Sequence, residues 1–247
     1  MKTSDPYETL YPEIGAGGFS RVDGTVAFYS RVTALVTPNM RVLDLGAGRG
    51  AWFNDSCVYR RNLQLLRGRV ARVVGCDVSD AVLENPSIDE AHVIKPGGYV
   101  PFPDGHFDLI VSDWTLEHIE DPTAYATEVA RLLRPGGWFC ARTPNRWHYT
   151  YLLSALIPNR LHKRILELVQ PLRQEKDVFP TYYRLNTLRT IRKHFPAACF
   201  SNYSFHHTAS PAYHFNNSST AHAMAVVDRL LPQCLGQALH VFIRKLH

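Results

Sequence analysis

Three glycines at alternate positions, Gly46, Gly48 and Gly50 in "RVLDLGAGRG", directly follow an apolar run, and an acid, Asp44, stands just ahead of them. Lacking side chains, such residues let the chain turn sharply and let a ligand lie against the backbone. A dinucleotide loop reads GxGxxG and offers a helix N-terminus to a pyrophosphate; here the third glycine comes one position early. The Asp44 carboxylate would repel a pyrophosphate and attract an ammonium or sulfonium. Both features point to a cationic ligand. A second acid, Asp77, ends the apolar run of "VVGCDVSD", at a strand tip where ligands sit in open α/β sheets and where a carboxylate can accept hydrogen bonds from both hydroxyls of a ribose. His118 in "LEHI" and His148 in "NRWHY" follow later apolar runs and are the candidate proton acceptors. His206, His207 and His214 lack regular ligand spacing and a supporting acid or cysteine cluster, so no metal is expected.

These residues need a scaffold that brings strand ends together. Apolar runs alternate with helical patterns, the signature of a parallel sheet covered on both faces. Strands are expected over 41–46, 72–77, 91–94, 107–113 and 138–143. Asp121 and Pro122 mark a helix start, Tyr125, Val129, Leu132 and Leu133 give it one apolar face, and "RPGG" ends it. From "WHYTYLLSALIPNRLHKRILELV" to the aromatic loop "VFPTYYRLNT" the rhythm breaks, which suggests an insertion. A helix capped by Asn186 then restores it, leading to a strand near 200–205, a helix around 221–231 and a last strand near 238–245.

The chain of 247 residues suits one large domain. That domain divides into an N-terminal cover (1–38), a ligand-binding core (39–145), a helical insertion (146–186) and a completion of the sheet (187–247). The five cysteines form no CxxC pair, no apolar run reaches the length of a membrane span, and the N-terminus has no leader pattern, so a reducing cytoplasm is the expected compartment. The net charge of +5 is unevenly spread. Between positions 72 and 128 the only bases are Arg72 and Lys95, whereas between 142 and 193 the only acids are Glu167, Glu175 and Asp177. The basic insertion suits a phosphate or carboxylate on a substrate, a solvated face, or an amphipathic pair of helices at an anionic membrane surface. Oligomeric state is not legible.

In order and spacing, "VLDLGAGRG", "VVGCDVSD", "VPFPDGHFD", "LIVSDWTLEHIEDP" and "LLRPGGWFCARTPN" resemble class I S-adenosylmethionine-dependent methyltransferases, particularly the bacterial small-molecule group. The resemblance covers roughly residues 41–145. It implies a Rossmann-like, doubly wound α/β sheet of seven strands, mainly parallel with an antiparallel last strand, and a helical lid. S-adenosyl-L-methionine would be the cofactor, with Gly46, Ala47, Gly48 and Gly50 beneath it, Asp44 near its methionine end, Asp77 on the ribose, and Asp113 and Trp114 lining the amino-acid portion. The acid that many relatives carry after the third strand is replaced by "KPGGYV", leaving the adenine to backbone groups or to apolar packing from Val78 and Tyr99. The acceptor implied is a hydroxyl or amine of a small molecule, anionic or lipid-linked. "SDWTLEH" stands where a base-methylating enzyme would carry an NPPY-like run, which disfavours nucleic acid. A nicotinamide oxidoreductase and a non-catalytic S-adenosylmethionine-binding protein are the alternatives.

Overall fold

The computed structural model describes residues 6–155, 179–211 and 217–247. Its sheet contains β1 (Arg41–Leu45), β2 (Arg72–Asp77), β3 (Glu90–Val93), β4 (Phe107–Asp113), β5 (Leu133–Pro144), β6 (Phe200–Asn202), β7 (Phe205–His207) and β8 (Ala238–Lys245), in the order β3-β2-β1-β4-β5-β8-β6 with β7 also on β8. The first five strands pair in parallel, and β8 runs antiparallel to β5. β6 and β7 both pair antiparallel with β8, so they share the direction of the parallel set.

Eight strands thus occupy the seven expected positions. The single strand expected over 200–205 is broken at Tyr203 and Ser204, where the Tyr203 N–H reaches Phe242 O (2.8 Å) and Ser204 Oγ accepts from the Phe242 N–H (3.2 Å). The ladder is interrupted there and resumes as β7 in the same register on β8.

Helices cover both faces because successive strand residues point to opposite sides. α2 (Gly24–Leu35) and α3 (Val58–Gln64) cover the face formed by Val42, Val73, Leu109, Val111, Cys140 and Phe242, with Phe28 and Val32 fully buried. α4 (Pro122–Leu132) and α6 (Leu188–His194) cover the face formed by Leu43, Val74, Ile110, Phe139 and Val241. The other α-helices among the described residues are α1 (Pro6–Leu10), which packs against α7 (Ser218–Leu230), and α5 (Tyr149–Ala155). The insertion's continuation over 156–178 lies outside the described residues, as does His214.

Local chemistry sets the boundaries. Asp121 caps α4, accepting from the N–H groups of Thr123 (2.8 Å) and Ala124 (3.0 Å). At the other end, Lys245 Nζ donates to the carbonyls of Ala130 and Leu133, both at 2.8 Å, placing a cation on the negative helix terminus. Leu133 already pairs with Phe107, and "RPGG" loops out before Trp138 takes up the register with Leu109, so the turn lies within β5 rather than ahead of it. The cap of α6 is Thr187, which forms a reciprocal pair with Thr190, and not Asn186. The Asn186 amide instead donates to Thr143 Oγ1 (2.7 Å) and Pro144 O (3.0 Å), tying the return of the insertion to the end of β5.

Candidate active site at the C-terminal edge of the sheet

The glycine loop after β1 lies against the end of β2. The N–H groups of Gly46 and Ala47 donate to Cys76 O (2.7 and 3.2 Å), and that of Gly48 donates to Asp77 Oδ2 (2.8 Å). These donors are therefore directed at the protein and form no anion-binding nest, in contrast to a loop that cradles a pyrophosphate. Each glycine has its own reason. A Cβ at Gly46 would lie 2.2 Å from Thr115 Oγ1, and one at Gly50 would lie 2.4 Å from Asn85 Oδ1, whereas one at Gly48 would meet nothing within 4 Å. All three have positive φ (90°, 49° and 66°). Ala47, between them, is buried against Val73 and Ile88 on the α2 face.

Asp77 is 9% exposed at the tip of β2, its other oxygen accepting from the Ser79 N–H (2.8 Å). Each carboxylate oxygen keeps one lone pair for a ligand hydroxyl. Val78, next along, is exposed. Tyr99 is committed elsewhere: its ring lies under the Arg131 guanidinium (4.2 Å) and its hydroxyl donates to Phe102 O (3.1 Å).

Asp44 is pushed up to about 7 by burial, with the carboxylates of Asp113 and Asp77 adding to the effect. Asp113 is held by Arg142, whose Nε and Nη2 reach its two oxygens at 2.8 and 2.7 Å, and by the Tyr29 hydroxyl (3.3 Å). The Tyr29 phenol is raised well above its ordinary value, first by burial and then by Asp113 and Asp44, and therefore remains a donor. Arg142 also donates to Thr25 Oγ1 (2.8 Å) and lies over Trp114 (5.1 Å) and Phe28 (5.6 Å). Arg142 and Tyr29 thus complete a buried network joining α2, β4 and β5. The sequence singled out Asp113 and Trp114 in it but not Arg142 or Tyr29, because these partners are brought together by the sheet and not by any local spacing. Trp114 is 40% exposed with φ 53°, an uncommon conformation for a non-glycine residue, and its N–H donates to Arg142 O (2.8 Å).

The two histidines are placed differently. His118 is partly buried, with Nδ1 2.8 Å from Pro180 O and its ring 5.9 Å from that of Phe179. A carbonyl only accepts, so Nδ1 carries the proton and Nε2 is the basic nitrogen of the neutral ring. His148 is 1% exposed at the start of α5, between Thr150 Oγ1 (2.7 Å) and Asp228 Oδ1 of α7 (3.2 Å). The loop carrying His118 is tied to the far end of the insertion, since Glu117 O accepts from the N–H groups of Tyr182 (2.7 Å) and Tyr183 (3.2 Å). Glu117 itself is buried and accepts from Thr143 Oγ1 (3.0 Å). Arg21 lies on the surface, paired with Glu13.

A doubly wound sheet with this strand order, a glycine loop that turns its N–H groups away, and carboxylates at the tips of β1, β2 and β4 define a nucleoside-binding α/β domain suited to a cationic cofactor. A family model described as a methyltransferase domain matches residues 23–196, and the chain belongs to that family. Among its relatives are a ubiquinone biosynthesis O-methyltransferase of Thiobacillus denitrificans and a ubiquinone/menaquinone biosynthesis C-methyltransferase of Shewanella frigidimarina. The first is 29% identical over 124 residues, 47% of this chain and 49% of the relative. The second is 30% identical over 126 residues, 46% and 47% of the two chains. The chain thus spans about half the length of the curated relatives it matches. An S-adenosylmethionine-dependent methyltransferase from Archaeoglobus fulgidus shares the fold, with a TM-score of 0.54 at 14% identity over 89% of this chain and 91% of the other. One from Aquifex aeolicus does so with a TM-score of 0.50 at 12% identity over 99% and 98%. No described helix is long and apolar enough to cross a membrane.

S-adenosylmethionine fits the residues present. Gly48 leaves space where a side chain would stand, the acids at the β1 and β2 tips suit a cationic ligand bearing a ribose, and no loop N–H from Gly46 to Gly48 is offered to a phosphate.

Proposed function

We propose that the protein transfers a methyl group from S-adenosylmethionine to a hydroxyl of a small, partly apolar acceptor. The observation that carries this reading is the glycine loop with its donors turned inward between Asp44 and Asp77, in a chain of the methyltransferase-domain family. When bound, S-adenosylmethionine supplies a methyl on a sulfonium that leaves as a neutral thioether. Asp77 accepts the ribose hydroxyls, and Asp44 supplies a negative charge on the side of the methionine portion. Gly46, Ala47, Gly48 and Gly50 form the floor, Val78 packs the base, and Asp113 and Trp114 form a wall held by Arg142.

His118 is the proton acceptor for the hydroxyl, using Nε2 while Pro180 O fixes the tautomer. His148 holds α5 against α7 through Asp228 and acts on the reaction only by placing the insertion. Exposed Trp114 and Tyr182 flank the His118 loop and suit an acceptor with a flat, apolar part. The relative named as a ubiquinone biosynthesis O-methyltransferase supports transfer to oxygen. A lipid-linked acceptor would bring the enzyme to a membrane surface, and the basic insertion would suit that surface or an anionic substituent.

Calorimetry with S-adenosylhomocysteine tests the donor site: Asp77→Ala should weaken binding at least ten-fold, and an unchanged affinity would refute the assignment. For the acceptor, a panel of phenols, catechols and amines is scored by S-adenosylhomocysteine release. Turnover of hydroxylated rings that falls about 100-fold in His118→Gln supports the base, whereas turnover of amines alone would redirect the acceptor class.

A further inference from the structure

The connection from β2 to β3 contains no α-helix. A parallel pair ordinarily needs a crossover built around an α-helix, but here a single 3-10 turn, Asp80–Glu84, carries the chain across. The turn that follows, from Asn85 to Ile88, therefore lies directly behind the glycine loop, where a helix would otherwise intervene. Asn85 is 7% exposed and its carboxamide is fully used. Nδ2 donates to Ala47 O (3.0 Å) and Gly48 O (3.1 Å), while Oδ1 accepts from the Ser87 N–H (2.9 Å) and Ser87 Oγ (2.6 Å).

The consequence for the loop is specific. Its N–H groups at 46–48 face the end of β2, and its carbonyls at 47 and 48 face Asn85. The backbone polar groups on both sides are thus satisfied within the protein, and the α-carbon of Gly48 is the surface left to meet a ligand. Holding the Gly48 peptide also holds its N–H on Asp77 Oδ2, so the amide and the ribose-binding carboxylate are mechanically linked. Gly50 is part of the same device, because any side chain there would strike Asn85 Oδ1 at 2.4 Å.

We infer that Asn85 is a positioning residue for the methyl donor: it sets the glycine loop and, through it, the orientation of Asp77. This rests on the donor site proposed above, and Asp77→Ala separates the two claims. If Asp77→Ala fails to weaken S-adenosylhomocysteine binding, the site itself is misassigned; the role of Asn85 is judged on its own variants.

In Asn85→Ala the loop carbonyls lose their donor, and in Asn85→Asp a carboxylate faces them while the acceptor side toward Ser87 is kept. Ser87→Ala loosens the same turn but leaves both Nδ2 bonds. Calorimetry with S-adenosylhomocysteine, well below each variant's melting temperature, should show Kd raised at least ten-fold in Asn85→Ala and further in Asn85→Asp. Ser87→Ala should stay within about two-fold of the parent. With the acceptor saturating, KM for the donor should rise in the Asn85 variants far more than kcat falls. Should Asn85→Ala not fold, Asn85→Asp against Ser87→Ala makes the same comparison. An Asn85 variant that melts earlier yet binds within two-fold of the parent overturns the proposal, as does a Ser87→Ala effect equal to that of Asn85→Ala.

Discussion

Asp44 is a carboxyl kept close to neutral pH by its surroundings, and that couples donor binding to protons. With its pKa at about 7 rather than the ordinary 3.8, it is half neutral near pH 7 in the free protein. A cationic ligand favours the ionised form, so donor affinity should fall as pH drops through 7, by up to about ten-fold per unit. The sign for stability is opposite: the folded pKa lies above the unfolded one, so the free protein is favoured below about pH 4 and loses that advantage as pH rises through 7. Asp44→Asn should flatten the pH dependence of binding, weaken binding at pH 8, and raise the melting temperature of the free protein there. Calorimetry from pH 6 to 8 and thermal melts check both. A second residue carries a cost that the site does not use. His240 is fully buried among Phe28, Phe205 and stacked His207, with neither ring nitrogen hydrogen-bonded. Burial, helped by His207, Arg142 and Arg31, drops its pKa to about 2, so it is neutral. Replacing such a group with an apolar one of similar volume removes about 1 kcal/mol of unsatisfied polarity. His240→Leu should therefore melt about 2–4 °C higher.

At the scale of elements, the glycine loop can be dissected by asking what each missing side chain avoids. Gly48→Ala would add a methyl at φ 49° with nothing nearby, at a conformational cost of about 1 kcal/mol. It should fold and lose donor affinity. Gly50→Ala drives a carbon into Asn85 and should lose stability as well as affinity; melts and S-adenosylhomocysteine titrations of the pair distinguish the cases. The Arg142–Asp113 pair between β4 and β5 makes a different prediction. Removing one partner of a buried pair strands the other charge, at about 3–5 kcal/mol. Arg142→Met should therefore melt on the order of 10 °C lower, and Arg142→Met with Asp113→Leu should recover part of that loss. The extent to which elements were legible follows the same physics. β1, β2, β4, α4 and β8 announce themselves through apolar period and a local cap, and each forms near its expected place. The break between β6 and β7 has no local marker, since it arises from how Ser204 meets the Phe242 backbone. Asn186 reads as a cap by residue type, but the carbonyl of Pro144 and the Thr143 hydroxyl take its amide.

For the whole molecule, the candidate site was legible wherever one residue type at a strand end states its own chemistry, as with Asp44, Asp77 and the three glycines. Asn85, Arg142 and Tyr29 were not, because their roles exist only once distant segments meet. The same holds for the insertion, whose ends prove to be pinned. Arg146 N–H donates to Asn186 O (3.0 Å), Asn186 returns to Pro144 O, and Asn145 is fixed by donation to Cys234 O (3.0 Å) and Gly236 O (2.7 Å). Such a stem predicts that the segment can be exchanged as a cassette. Loop-closure entropy grows only slowly with length, so the scaffold is nearly indifferent to what is spliced between its clamped ends. Grafting the corresponding segment of a methyltransferase with another acceptor between Ala155 and Phe179, with His148 retained to hold Asp228 and Pro180, Tyr182 and Tyr183 retained to hold the His118 loop, should leave S-adenosylhomocysteine affinity within about three-fold. Acceptor preference should change. With that outcome, donor chemistry and acceptor choice would be separately inherited traits, and substrates could diversify by recombination without rebuilding the core.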